Sequence, residues 1–291
     1  MKGLEKSLEK NVKDFKAIMS QLGLKPNRKL GQVFLIDEKV INDQIEFAQL
    51  TKKDTVLEIG PGLGLLTTIL AQHARKVIAV EFDKKLCSYL ADILPDNVIV
   101  ICADALSIDF PKFNKIVSNV PYQISSPLIF KLIDHRFDLG IFLFQEEFAN
   151  RLNAVQNTKN YSRLTVMSSY YYDIDLLQYV PSTSFLPVPK INSAIIKIVP
   201  KKNKETANNE ELFTNLVKVV FNERRKMIKN SLSNQFAKIC PPKLDLTKSE
   251  ISDIIVQLPN RTARPEQLSL SQLIQMSNTL HQALTGSITT K

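Results

Sequence analysis

The chain has 291 residues, 44% hydrophobic and 23% charged, enough apolar surface for one large domain or one domain with a smaller partner. That balance excludes intrinsic disorder or a coiled coil as the whole architecture. No apolar run approaches the ~18 residues of a membrane-spanning helix. The net charge is +9, with 14 Lys and Arg against 8 Asp and Glu in residues 201–291 and 24 against 21 before them; the basic last third suits a polyanion such as nucleic acid.

Leu4, Leu8, Val12, Phe15, Met19 and Leu22 recur at three- and four-residue steps, which predicts an amphipathic helix packed on the domain behind it. Residues 1–24 are therefore expected to form a helical extension. No apolar core of a signal peptide follows Met1, and Glu5, Glu9 and Asp14 interrupt the basic face that a mitochondrial presequence needs. From Thr55 onward short apolar strands alternate with helical stretches. Thr55–Ile59, Val77–Glu81, Val98–Cys102, Lys115–Ser118 and Leu139–Phe144 read as buried strands, the pattern of a mostly parallel sheet with helices on both faces. Arg163–Val180 and Ile191–Val199 read as two longer strands around the proline-rich loop Pro181–Pro189, a closing antiparallel hairpin. The expected α/β domain spans 25–200. A polar linker over 201–210 leads to a basic all-α domain, 211–291, with helices over Leu212–Phe236, Lys248–Leu258 and Gln267–Leu284 and a frayed end. Cys87, Cys102 and Cys240 are scattered and odd in number. They predict no disulfide framework and suit a reducing compartment such as the cytoplasm. No CxxC or HExxH is present, so no metal site is expected.

The chemistry begins at Glu58-Ile-Gly60-Pro-Gly62-Leu-Gly64, directly after a strand and before a helix. Glycines there let the backbone turn sharply and approach a nucleotide-type ligand. Glu81 ends the next strand, where a carboxylate can accept both hydroxyls of a ribose. Asp104, in Ala103-Asp104-Ala105, follows the third strand, placed to accept from an adenine amino group. Three strand ends converging on one crevice is the expected geometry of an open α/β sheet. NAD is the competing ligand, but its fingerprint wants Gly or Ala where Leu65 stands.

Asn119-Val120-Pro121-Tyr122 ends the fourth strand. An exocyclic adenine amine is a poor nucleophile because its lone pair is delocalised into the ring. Two acceptors facing its hydrogens favour a pyramidal nitrogen: the Asn119 amide oxygen supplies one, the Val120 or Pro121 carbonyl the other. Proline fixes the loop, and Tyr122 can stack on a base drawn out of its own stack. No strong general base is needed, so catalysis would be alignment and electrostatics.

In that order, these motifs resemble the ribosomal RNA adenine dimethyltransferases of the KsgA type, over about residues 25 to 270. Leu30-Gly31-Gln32-Val33-Phe34-Leu35 resembles the segment that closes over the cofactor in that family. Phe185-Leu-Pro-Val-Pro-Lys190 resembles the loop whose aromatic ring sandwiches the target base, and Phe221–Lys226 with Asn230 and Leu232 resembles the first helix of its C-terminal domain. Arg264–Leu268 resembles its closing motif. The resemblance implies a Rossmann-like class I methyltransferase domain with a small all-α C-terminal domain. It implies S-adenosylmethionine as cofactor, held by Gln32, Val33, Leu35, Gly60, Gly62, Glu81, Asp104, Ala105 and Asn119. The catalytic set is Asn119, Pro121, Tyr122 and Phe185, with Phe185 expected on a rigid exposed loop. Arg224, Arg225, Lys226 and Lys229, expected as a basic run on a helix, would contact RNA phosphates. Where the family usually carries a polar residue, this chain has Val33.

The activity so implied is dimethylation of two adjacent adenosines in the 3′-terminal hairpin loop of small-subunit rRNA, on a pre-ribosomal particle, by a cytoplasmic monomer without metal or membrane. One alternative is the macrolide-resistance type, which acts on large-subunit rRNA. Another is an assembly factor that keeps the fold without turnover, and a third is a DNA or protein amide methyltransferase sharing Asn-Xaa-Pro-Tyr.

Overall fold

The computed structural model describes residues 13, 15–23, 33–202, 205–239 and 246–289, with side chains to 286. Leu30, Gly31, Gln32, Cys240 and the first half of the expected N-terminal helix lie outside the described residues. Within them, 15–21 is helical; Phe15 and Met19 are buried, and the Phe15 ring lies 5.1 Å from that of Phe34. The chain divides into two compact units: Met1–Asn150 with Asp173–Pro200, and Arg151–Tyr172 with Lys201–Lys291.

The first unit is built on a seven-stranded sheet. Its strands are β2 (Thr55–Ile59), β3 (Lys76–Glu81), β4 (Val98–Cys102), β5 (Lys115–Asn119), β6 (Leu139–Gln145), β7 (Tyr172–Val180) and β9 (Ser193–Pro200), in the order β4-β3-β2-β5-β6-β9-β7. Four pairings, from β4 through to β6, are parallel, and β9 returns antiparallel to β6. Two further short strands, β1 (Phe34–Leu35) and β8 (Phe185–Leu186), pair antiparallel. Side chains alternate across a strand, so each central strand fills two cores. Val56, Val77, Val117, Ile141 and Ile195 pack with Ile41, Ile45 and Leu70 from the helices Glu38–Ala48 and Leu65–His73. Ile116, Phe142 and Ile196, next along their strands, are buried on the opposite face. The edge strand β4 is only half-covered, with Ile99 43% exposed, so it is not the buried strand its composition suggests.

Order along the sheet reverses between β2 and β5, the place where an open α/β sheet parts into a crevice. The ladder there runs only through Val56–Lys115 and Leu57–Ile116. Beyond it, the Ser118 hydroxyl takes over, donating to the Ile59 carbonyl at 2.7 Å and accepting from its N–H at 3.3 Å.

Three expectations are corrected. Arg163–Val180 is not one long strand: Arg163–Tyr171 is a helix and only Tyr172–Val180 is strand. A run buried nearly all round fits both periods, and a capping box decides, with the Ser162 N–H donating to Thr165 Oγ1 at 3.0 Å. That helix belongs to the second unit, where the Tyr170 ring lies 4.8 Å from Phe213, so the second unit takes residues 151–172 in addition to those after residue 200. Cys87 and Cys102 are disulfide-linked with their Cα atoms 5.7 Å apart. The crossover helix Lys84–Ile93 brings β4 back beside β3 and sets these two residues side by side.

The second unit is helical: Arg163–Tyr171, Glu210–Asn222, Ile228–Gln235, Lys248–Gln257 and Leu270–Thr289. The expected helix Leu212–Phe236 is broken at Glu223–Met227, and the last helix continues past Leu284 to Thr289. Among the described residues no helix is long and apolar enough to cross a membrane, and no group of three His, Cys, Asp or Glu stands placed for a metal.

Candidate active site

At the C-terminal ends of β2, β3, β4 and β5 lies a cavity of about 270 Å³. Its walls bring together Val33, Gly60, Gly62, Glu81, Asp104, Ala105, Asn119, Pro121, Tyr122 and Phe185. Leu35 lines a second cavity of about 280 Å³, which shares Val33, Phe34, Gly60, Gly62 and Asn119 with the first. Every expected cofactor and catalytic residue that is described therefore meets in one region of the first unit. Gln32 lies outside the described residues.

The glycine turn is tied to the catalytic segment by contact. Gly60 has φ +72°, and a Cβ there would stand 2.9 Å from the Pro121 ring; one on Gly62 would stand 3.0 Å from the Phe34 ring. Glu81 organises the turn from the other side. Its Oε1 accepts from the N–H groups of Phe82 and Asp83, both at 2.9 Å, and its Oε2 accepts from Gly62 N–H at 3.2 Å. An ionised carboxylate has about four lone-pair sites, so one remains for a ligand hydroxyl rather than the two needed to accept both hydroxyls of a ribose. Burial, only partly offset by these bonds, raises the Glu81 pKa. Asp104 is exposed, and its oxygens accept from Leu106 N–H at 2.8 Å and Ser107 Oγ at 3.3 Å.

Glu58 is fully buried at the end of β2; burial pushes its pKa up to about 8, and the like charge of Glu81 adds to the effect. Its Oε2 has no hydrogen-bond partner, and the residue lines the second cavity. Sequence reasoning missed two further residues. Phe82 follows the acidic strand end, lines the first cavity and is 61% exposed; an apolar ring directly after Glu81 was the available signal. Gln44 lies on the buried face of its helix and donates from Nε2 to Asn119 Oδ1 at 2.9 Å.

In the catalytic segment, the Pro121 carbonyl accepts from Ile124 N–H at 3.0 Å in the 3₁₀ turn Tyr122–Ile124. The turn engages one of the two carbonyls considered, and Val120, which bears the other, lines the cavity. The Tyr122 hydroxyl shares a 3.0 Å hydrogen bond with the buried Ser193 Oγ, and burial raises its pKa. Phe185 is not on an exposed loop. It is 2% exposed, pairs with Leu35 and belongs to the core, yet its ring also lines the cavity.

The basic residues occupy the second unit, and three of the four do not sit on a helix. Arg224, Arg225 and Lys226 fall in the turn between Glu210–Asn222 and Ile228–Gln235, and Lys229 opens the latter helix. Arg224 is held in place: its guanidinium pairs with Glu266 at 3.2 Å and donates to the carbonyls of Lys159 and Tyr161 at 3.0 and 3.2 Å. Lys226 pairs with Glu223 at 2.7 Å. Arg225 and Lys226 are exposed and Lys229 is half-buried.

Comparison with known proteins meets this geometry from outside. The family model described as ribosomal RNA adenine dimethylase matches residues 23–253. The chain is 41% identical over 253 residues to a protein of Methanosarcina acetivorans named "Probable ribosomal RNA small subunit methyltransferase A", covering 86% of this chain and 91% of that one. A protein of the same name from Thermococcus sibiricus is 41% identical over 258 residues, covering 88% and 93%. Among solved structures, a dimethyladenosine transferase from Plasmodium falciparum superposes with a TM-score of 0.72 at 30% identity, over 84% of this chain and 96% of that one. The 23S rRNA methyltransferase ErmE gives 0.60 at 26%, over 85% and 99%. With its strand-end residues gathered on one cavity and the match running across most of its sequence, this chain belongs to the ribosomal RNA adenine dimethylase family.

Proposed function

We propose that the chain is an S-adenosylmethionine-dependent rRNA adenine N6,N6-dimethyltransferase, acting on two adjacent adenosines of the 3′-terminal hairpin loop of small-subunit rRNA in a pre-ribosomal particle. The observation that carries the reading is the convergence of Gly60, Glu81, Asp104 and Asn119–Tyr122 on one cavity. The shared name of the curated relatives supports the small subunit as substrate.

The residues present fit the cofactor. The first cavity offers two carboxylates and an exposed Phe82 ring, partners for a ribose, an adenine amino group and a purine face. The adjoining cavity offers Glu58, whose buried oxygen lacks a partner, to a cationic amino-acid tail. When bound, the cofactor supplies an electrophilic methyl group on a positively charged sulfur. The protein's own residues do the rest by alignment. Asn119 Oδ1 and the Val120 carbonyl accept the two hydrogens of the target amine, and Tyr122 and Phe185 flank its base. The ring of Pro121, wedged against Gly60, fixes the distance between the two ligands. Such positioning is worth several orders of magnitude in rate. On the second unit, Arg225, Lys226 and Lys229 contact phosphates and set affinity more than base choice.

Methyl transfer to purified small and large ribosomal subunits lacking the modification tests the proposal. The small-subunit rRNA is expected to take up label, and Asn119→Ala to lose at least about a hundredfold in rate. Label in the large-subunit rRNA alone, or an Asn119→Ala variant as active as its parent, contradicts it.

A further inference from the structure

Asn119 ends in an amide on a single rotor, free in principle to present either oxygen or nitrogen to the cavity. The helix Glu38–Ala48 carries the group that restricts it. Gln44 is fully buried, with Nε2 donating to Asn119 Oδ1 at 2.9 Å. Its neighbours on the buried face are Val40, Ile41, Ile45 and Ala48, a stripe in which packing alone calls for an aliphatic side chain. The amide there is only half satisfied, because Gln44 Oε1 is buried without a hydrogen-bond partner. Such a group costs stability, which a purely structural role does not account for.

Resting on the proposed role of Asn119, we infer that Gln44 is a positioning residue for methyl transfer, locking the Asn119 amide in the orientation that accepts the target amine. A carbonyl oxygen has two lone-pair directions. Gln44 occupies one from within the protein and leaves the other for an amine hydrogen. Turning the Asn119 amide by half a rotation would set its NH₂ against the NH₂ of Gln44, so reversal requires both amides to turn together. The same helix also anchors a second part of the cavity wall. Its capping residue Asp37 accepts from Ser184 Oγ at 2.9 Å, and the Ser184 carbonyl accepts from Ile36 N–H at 2.9 Å. Ser184 directly precedes Phe185, which lines the same cavity as Asn119, so one element holds both the amine acceptor and an aromatic residue of that cavity.

The test uses the full chain, S-adenosylmethionine and small subunits lacking the modification. Gln44→Leu keeps the volume and removes the donor, and Gln44→Met is a second donor-free variant should the first pack poorly. Both are expected to lower kcat by about ten- to a hundredfold, with KM for the subunit and Kd for the cofactor changed by less than about twofold. Combined with Asn119→Ala, Gln44→Leu is expected to leave the residual single-turnover rate unchanged, as coupled residues do. Parental kcat in both variants overturns the inference, as does a loss confined to KM or cofactor affinity, or a fully additive loss in the double variant. Failure of the site itself reads differently: there Asn119→Ala alone would turn over like its parent.

Discussion

Glu58 is a single carboxyl whose burial makes stability depend on pH. It is fully buried, and its pKa rises from an ordinary 4.5 to about 8. An acid with a raised pKa holds its proton more tightly in the folded state than in the unfolded one. Its contribution to stability is therefore complete below about pH 4.5 and is lost as the pH climbs through about 8, at up to about 1.4 kcal/mol per pH unit. Glu58→Gln removes the titration while keeping the shape. Thermal unfolding of parent and variant is expected to converge near pH 4.5 and to diverge in favour of the variant by pH 8. Equal melting temperatures across that range would show the carboxyl to be solvated. The same variant should bind the cofactor more weakly above about pH 8, where the parent carboxyl is ionised and the amide has no charge to offer a cationic tail.

At the scale of elements, what was legible in the sequence depended on how local the determining contact is. The glycine turn, Glu81, Asp104 and Asn119–Tyr122 lie at strand ends, where the backbone's own demands select the residue, and all of them line one cavity. The helix Arg163–Tyr171 was illegible because its Thr, Val and Tyr residues suit a strand, while its burial comes from partners such as Phe213 far along the chain. Arg224 reads as one of a basic run until Glu266 is seen beside it. Gln44 left one faint sign, an amide within an apolar helical stripe, with nothing local to name its partner. The assignment of residues 151–172 to the second unit has a measurable consequence. A fragment of residues 1–200 would carry Leu164, Val166, Met167 and Tyr170, all buried in the whole chain, without the helices of the second unit. It is expected to bind a hydrophobic dye and to self-associate, whereas a compact, monodisperse fragment would place that helix with the first unit.

On the scale of the whole molecule, the proposed chemistry and the proposed RNA contacts fall in different units. The cavity belongs to the first unit, while the surplus of positive charge lies mainly after residue 200. Among those cations only some are available to RNA. Arg225→Ala and Lys229→Ala are each expected to weaken subunit binding and to reduce its salt dependence by about one phosphate contact, with melting temperature unchanged. Arg224→Ala, which breaks the pairing with Glu266 and two backbone carbonyls, is expected to lower the melting temperature first. Identical salt slopes for parent, Arg225→Ala and Lys229→Ala would move the RNA-binding surface elsewhere. The central claim itself is tested most directly in the RNA. Mass spectrometry of the 3′-terminal small-subunit rRNA fragment, from cells with and without this protein, is expected to differ by the mass of four methyl groups on two adjacent adenosines. An unchanged mass, with the protein expressed and bound to the subunit, would contradict the account.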